Sequence, residues 1–451
     1  MDPQHMMRYV DDRPADGIFR VHPDVYTDAE LFELEQRYIF ERTWNFLGLE
    51  TQLRKPHDFH VGYIGRLPIL VSRAADNKIG AFLGVCRHKG SLLCRTESGN
   101  KKYHVCPYHG WAYDSAGKNI DIKDRKEGAY TEAFLRDDHN LVPLARFATY
   151  KGLMFGSLSA DVPPLEEFLG ELRFFLDLAM EQGPQGMEFV PGRIMFTYEG
   201  NWKAQLDNSS DGYHLTSTHL SFMDVQRRRA DSKSGNQDAK QFDWQKRFAQ
   251  EGGTFNFSNG HNVIWLNQAE IEKRPIYPRI DEVRSRVGES KAEWMLKLRN
   301  LTVFPTMQIA DSTSLNIRTF RPLSVDRTEV RYWCLAPIGE APDVRAWRLR
   351  QFEDFFNVSG FATPDDAVMY EDMQVGLQAR QVEWLQGYAR GMTQIIDGPS
   401  PLAKSIGVHP TQSVQGRFDL QNEVWAHTMY REWARLMEAG ASGRASYEAV
   451  R

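Results

Sequence analysis

Two short segments constrain this chain more than anything else in it: Cys86-Arg87-His88 and Cys106-Pro107-Tyr108-His109. Each joins one cysteine to one histidine, and only the residues from Lys89 to Val105 separate them. Four such side chains can close a tetrahedral zinc site, but zinc fingers usually keep the cysteines in one pair and the histidines in the other. One cysteine and one histidine per loop suits a binuclear centre, where each loop gives one ligand to each of two metals. A [2Fe–2S] cluster with two thiolates on one iron and two neutral imidazoles on the other makes that demand, and it passes single electrons. Cys86, His88, Cys106 and His109 are therefore expected to hold such a cluster, with structural zinc as the alternative. Gly90 and Gly110 let backbone amides approach the sulfurs, and Trp111 is placed to shield the loops.

The other cysteines narrow the type of cluster. Rieske centres of respiratory complexes carry one further cysteine in each loop, joined as a disulfide. Ser91 and Tyr108 stand at those positions, and Cys94 and Cys334 are too far apart in sequence to read as a disulfide framework. The pattern resembles that of low-potential Rieske ferredoxins and oxygenases. The chain has 451 residues, a formal net charge of -5 and no long basic run, which argues against nucleic acid or an anionic membrane as partner. No apolar stretch is long enough to span a bilayer, and the polar, acidic N-terminus is unlike a secretion signal, so a cytoplasmic location is expected.

The chain reads as α+β. Residues 1–43 are expected to form a helical segment packing on the larger C-terminal domain, with Asp28 capping a run that carries Leu31, Phe32, Leu34, Tyr38, Ile39 and Phe40 at helical spacing. Residues 44–160 break into short β pieces such as Phe59–Ile64, Pro68–Ser72 and Gly80–Val85, an all-β domain with both Cys/His pairs at loop tips. Residues 161–451 are expected to form a larger domain, an antiparallel sheet flanked by helices. Helices are expected at Leu165–Gln182 and Asn201–His214, and a mobile surface loop over Asp224–Gly253. A hairpin is expected around Val325-Asp326-Arg327. Beyond it lie a helix from Pro342 and another from Asp365-Asp366 to about Leu385.

A second metal site lies downstream. His214 and His219 are five residues apart, about 140° around an ideal helix, so a helix must distort or end for both to reach one metal. Asp211 is three residues before His214 and can take its ring N–H, fixing the tautomer. Two histidines and a carboxylate make the facial triad of a non-haem Fe(II) site with open positions. Asp365 and Asp366 are the candidate carboxylates. Spacing does not choose between them, although Asp365 also suits a helix N-cap.

Over about Phe19 to Pro410 the chain resembles the large (alpha) subunit of a Rieske non-haem iron aromatic-ring-hydroxylating dioxygenase, most closely the benzoate and anthranilate 1,2-dioxygenase branch. The resemblance rests on Tyr38-Ile39-Phe40-Glu41, Glu199-Gly200-Asn201-Trp202-Lys203, Asp211-Gly212-Tyr213-His214, and the run from Arg350 to Asp366. It implies that His214, His219 and Asp366 hold mononuclear iron and that Asp211 links His214 to His109 of a neighbouring subunit. It implies a small beta subunit, an alpha3beta3 or alpha3 oligomer, and a flavin/iron–sulfur reductase, with or without a ferredoxin, that brings electrons from NADH. It also implies O2 and an aromatic ring as substrates and a cis-dihydrodiol as product. Asn208 falls near the open face of the iron, and Ser209, Met223, Phe356 and Ala362 fall where the family lines its substrate pocket. The branch's Glu-Asn-Gly is replaced by Asp207-Asn208-Ser209-Ser210, and Leu220-Ser221-Phe222-Met223 replaces a more aromatic stretch. Small, polar Ser209 favours a substituted monocyclic aromatic acid or amine over a fused hydrocarbon. A Rieske monooxygenase, either a ring hydroxylase or a demethylase, is the alternative on the same sites. A zinc-stabilised binding protein is the remote one.

Overall fold

The computed structural model describes residues 8–126, 128–231, 246, 249–358, 360–417 and 421–447. The chain forms two compact units, one spanning Phe40–Leu165 and the other combining Met1–Ile39 with Glu166–Arg451.

Among its described residues the smaller unit is built from three antiparallel sheets. Ile79–Leu83, Leu67–Arg73, Asp58–Ile64 and Ser98–Asn100 form a four-stranded sheet in that order. Asn119–Asp121, Ala112–Asp114 and Tyr103–Val105 form a second, and Arg146–Tyr150, Leu153–Ser157 and Asn45–Leu49 a third. One short α-helix, Glu132–Arg136, interrupts the strands among the described residues. The unit extends beyond the β-rich 44–160 at both ends because side chains tie those ends in. Asn45 Nδ2 donates to the Phe40 carbonyl, and Trp44 Nε1 donates to that of Pro163.

The larger unit is organised by one wide antiparallel sheet. Its strand order is Met187–Phe189, Arg327–Pro337, Leu315–Ser324, Met307–Asp311, Leu298–Val303, Asn262–Leu266, Glu251–Asn256, Gln412–Arg417 and Ile396–Asp397. Ile194–Tyr198 also pairs with Arg327–Pro337. The hairpin forms at the expected turn, between Ser324 and Arg327. No helix among the described residues is long and apolar enough to cross a membrane.

Several helices are shorter than their sequence pattern implies, each for a local reason. Leu165–Gln182 divides into Leu165–Leu169, a 3-10 turn at Gly170–Leu172 and Arg173–Met180, with Gly170 at φ +50°. The helix expected over Asn201–His214 runs only from Trp202 to Ser209, with Asn201 as its cap. It stops because the sheet takes its last groups: the Ser209 carbonyl accepts from Asn300 Nδ2 and the Ser210 hydroxyl donates to Asn262 Oδ1. The helix carrying Asp365 and Asp366 covers Thr363–Gly376, ending well before Leu385. Ala362, not Asp365, occupies its N-cap, since Pro364 fixes the first turn one residue before Asp365. Of the loop expected over Asp224–Gly253, the start belongs to a helix, Leu220–Asp231, and Glu251 onward is strand; residues 232–245 and 247–248 lie outside the described residues.

The N-terminal helix Ala29–Tyr38 begins at Asp28, whose carboxylate accepts from the amides of Glu30 and Leu31. It carries Glu35 into the core of the larger unit. There Glu35, fully buried, accepts from Lys203 Nζ (2.6 Å), Trp202 Nε1 (2.7 Å) and Trp433 Nε1 (2.7 Å). Removing one partner of a buried ion pair strands the other charge, which typically costs about 3–5 kcal/mol. Glu35→Ala is therefore expected to lower the unfolding free energy by about that amount, with Glu35→Gln intermediate. Chemical denaturation followed by tryptophan fluorescence would measure it; an unchanged midpoint for the alanine variant would refute the keystone role.

Candidate metal centres and active site

The two Cys/His loops repeat one local geometry. The Cys86 amide donates to the Ser91 carbonyl and the Gly90 amide to the Cys86 carbonyl; the Cys106 amide donates to the Trp111 carbonyl and the Gly110 amide to the Cys106 carbonyl. Each loop thus closes on itself at a glycine with positive φ, +71° at Gly90 and +76° at Gly110, where a side chain would be strained. Both sulfurs are buried and unpaired in a disulfide. The Tyr113 hydroxyl lies 3.4 Å from Cys86 Sγ. Burial works against ionising either thiol, while amides of His88 at one sulfur and of Tyr108 and His109 at the other favour it. The balance leaves Cys86 above and Cys106 below the ordinary thiol value.

The imidazoles of the same loops face each other, with His88 Nδ1 3.0 Å from His109 Nδ1. Trp111 is buried and stacks on the His88 ring at 5.1 Å. Desolvation, followed by positive neighbours His88, Lys89 and Lys123, holds His109 below the ordinary histidine value, which favours the neutral ring a metal requires. Two thiols with amide donors and two facing imidazole nitrogens fit a [2Fe–2S] cluster of the Rieske kind.

In the larger unit the broken helix brings the second set together. After Ser210 the chain turns, His214 caps the short helix Leu215–Thr218, and His219 follows it. Ligand atoms of His214, His219 and Asp366 all lie within 4.8 Å of one another. Asp366 Oδ1 is 3.2 Å from His219 Nε2 and 3.5 Å from His214 Nε2. Burial pushes the Asp366 carboxyl up, but His219, His214 and the Arg318 guanidinium hold it below the ordinary carboxylate value. Two imidazole nitrogens and a buried carboxylate oxygen turned to one point fit a non-haem iron with open positions.

The groups around this set are also ordered. Asp211 Oδ2 is 2.9 Å from His214 Nδ1, and Asp211 Oδ1 accepts from the Tyr213 amide at 2.6 Å. Asn208 Nδ2 donates to Asp366 Oδ1 at 3.1 Å and lies 3.3 Å from His214 Nε2. Asp365, the other candidate, is 3.6 Å from His219 Nδ1, on the far side of that ring. One residue before Asn208, partly buried Asp207 accepts from the hydroxyls of Tyr26, Tyr388 and Tyr430, and desolvation pushes its carboxyl up to about 6.

His214, His219 and Asp366 open into a cavity of about 550 Å³, its mouth included. Ser209 and Phe356 are on its wall. Met223 and Ala362 are not among its lining residues: Ala362 is fully buried at the start of its helix, and Met223 follows His219 into the next one. The rest of the wall is Asn208, Asp211, Gly212, Leu215, Phe355, Ser312 just after the strand Met307–Asp311, and one face of the sheet, with Ile264, Leu298, Asn300 and Arg318. None of these sheet residues stands in a recognisable motif. Their signal is a period-two alternation that puts polar Asn300 and Arg318 on the inward face of largely buried strands.

Models of two families match the chain. The Rieske [2Fe–2S] domain matches residues 43–143, and the catalytic domain of the ring-hydroxylating alpha subunit matches residues 187–439. The chain belongs to the ring-hydroxylating alpha subunits. This alpha subunit is 39% identical to the toluate 1,2-dioxygenase subunit alpha of Pseudomonas putida, covering 95% of this chain and 96% of the relative. It is 36% identical to the anthranilate 1,2-dioxygenase large subunit of Acinetobacter baylyi, covering 97% and 93%. Naphthalene 1,2-dioxygenase from a Rhodococcus species, solved with indole, superposes with a TM-score of 0.82 at 24% identity over 97% of this chain and 98% of that one, a likeness of fold. As a member of the family, the chain is an oxidoreductase that carries a Rieske [2Fe–2S] cluster and a mononuclear iron. Structural zinc is thereby set aside.

Proposed function

We propose that this alpha subunit is the terminal oxygenase component that cis-dihydroxylates a monocyclic aromatic acid or amine, with electrons relayed from NADH by a separate reductase. The observation that carries the reading is the His214–His219–Asp366 set opening into a cavity whose wall is partly aromatic and aliphatic, partly polar. The substrate class is drawn from relatives named for toluate, 2-halobenzoate and anthranilate, all aligned over at least 94% of the chain.

When bound, the cluster supplies single electrons and the iron supplies activation of O2. Balance requires two electrons and two protons for each O2 added across a ring double bond. The chain's own residues do the rest. Asp211 holds the His214 ring in the tautomer that turns Nε2 toward the metal. Asn208 keeps an amide donor beside Asp366 Oδ1, where it can steady a water or oxygen at the open face. Phe355 and Phe356 pack the ring, while Ile264 and Leu298 keep water from it. A diol formed on a carbon that bears an amine can then lose ammonia to give a catechol, whereas one formed on a carbon that bears a carboxylate reaches a catechol only by losing CO2 and giving a hydride to a separate oxidant such as NAD+.

Asp211 is also the residue we assign to connect the two centres, by meeting His109 of a neighbouring copy in an alpha3 or alpha3beta3 assembly with a small beta subunit. Its half-buried carboxylate, already committed to His214, is the support for that assignment.

The test is turnover with 18O-labelled dioxygen and a reconstituted reductase, across benzoate, anthranilate, salicylate, halobenzoates and anilines. Two labelled oxygens in one product are expected; a single labelled oxygen would make the enzyme a monooxygenase.

A further inference from the structure

Arg318 stands apart from the other deeply buried arginines. Arg274 and Arg299 both pair with Asp311, and Arg348 pairs with Glu340 at 2.6 Å. Arg318 is just as buried, at 4% exposure, yet among the described residues no carboxylate lies within ion-pair distance of it. Its Nε is buried without a hydrogen-bond partner. A guanidinium stays charged at any working pH, so burial without an anion is costly unless something else supplies one.

The geometry around it points inward. Arg318 lies on the strand Leu315–Ser324, opposite Gln308 and Tyr332, and its side chain lines the cavity that His214, His219 and Asp366 open into. The guanidinium carbon sits 5.1 Å from the Tyr332 ring centre and 5.3 Å from that of Phe356, so two aromatic faces hold the plane in place. The two carboxylates on the cavity wall are already engaged, Asp211 by His214 and Asp366 by the two imidazoles. With a divalent iron in place, the cavity carries a surplus of positive charge that a single anion would balance.

We propose that Arg318 is the anion subsite of the substrate cavity: its guanidinium receives the carboxylate of a monocyclic aromatic acid and thereby seats the ring between itself and His214, His219 and Asp366. The inference rests on the oxygenase reading above and narrows it, favouring aromatic acids over amines and uncharged rings. A planar carboxylate matches the guanidinium fork, and Phe356 flanks both.

The experiment uses the complete oxygenase and compares benzoate with its uncharged isostere benzamide, by equilibrium dialysis and by kcat/KM. Arg318→Gln is expected to weaken benzoate binding by about 100-fold while changing benzamide by less than about threefold, and Arg318→Lys to recover roughly a tenth of the wild-type benzoate affinity. Iron content and the visible spectrum of the cluster should stay at wild-type levels. If R318Q does not assemble, R318K and the wild-type preference for benzoate over benzamide still decide the matter. Benzoate affinity unchanged in R318Q, or equal losses for both ligands, would overturn the subsite while leaving the oxygenase reading intact. Wild-type enzyme that oxidises only uncharged rings overturns the subsite as well, and wild type that oxidises no aromatic ring sinks the reading beneath it.

Discussion

Replacing Asp366 with alanine is expected to lower ring oxidation by about a thousandfold or more, while the visible spectrum of the [2Fe–2S] centre stays that of wild type. Among the described residues its Oδ1 is the one carboxylate oxygen that faces both imidazole nitrogens, 3.2 Å from His219 Nε2 and 3.5 Å from His214 Nε2. Asp365 cannot stand in for it, because it approaches His219 from the opposite edge, 3.6 Å from Nδ1. Without Asp366 the site keeps two neutral nitrogens and loses its only negative ligand, so Fe(II) binds too weakly to persist. Metal analysis should show one iron fewer per chain, with acid-labile sulfide unchanged. The reciprocal variant, Cys106→Ser, should bleach the cluster spectrum and leave the mononuclear site able to take up Fe(II). An Asp366→Ala enzyme that retained all its iron would refute the ligand set.

The parts of this molecule readable from its sequence are those where local chemistry dictates local shape. Asp28 caps its helix, Pro342 starts another, and the glycines at 90 and 110 close two loops of identical design; each depends on neighbours a few residues away. Legibility fails where distant residues decide. The helix after Asn201 looks long enough to reach His214, but Asn262 and Asn300, far along the chain, take the groups that would continue it. That early ending is what frees His214 and His219 from helical spacing. Asn201 Nδ2, in turn, donates to the carbonyls of Tyr26 and Val325, so the start of the helix is also set by remote segments. Arg318 was invisible for a related reason. One arginine in an otherwise ordinary strand has no motif, and its importance lies in which face of the sheet it occupies and in the carboxylate partner it lacks among the described residues.

Asp211 allows a sharper experiment, because two roles assigned to it differ in magnitude and in what repairs them. If it only orients His214, Asp211→Ala should loosen iron binding and cost about 10–100-fold, the usual effect of losing a partner behind a metal ligand. Asp211→Asn would then restore most activity, since an amide oxygen can still accept from His214 Nδ1 across the 2.9 Å now spanned. If it also carries coupling between a cluster on one copy and the iron of the next, both variants should fail alike. The loss should then exceed about 100-fold with both metals at full occupancy. The second result is the expected one. Burial is incomplete at Asp211, with 19% of its side chain exposed, so the carboxylate is reachable by a neighbouring copy while bonded to its own histidine. Stopped-flow oxidation of the pre-reduced cluster, with O2 and substrate present, separates the cases directly. A wild-type burst that disappears in Asp211→Asn assigns the loss to electron transfer. A burst that survives in Asp211→Asn and shrinks only in proportion to lost iron in Asp211→Ala would leave Asp211 as a positioning residue alone.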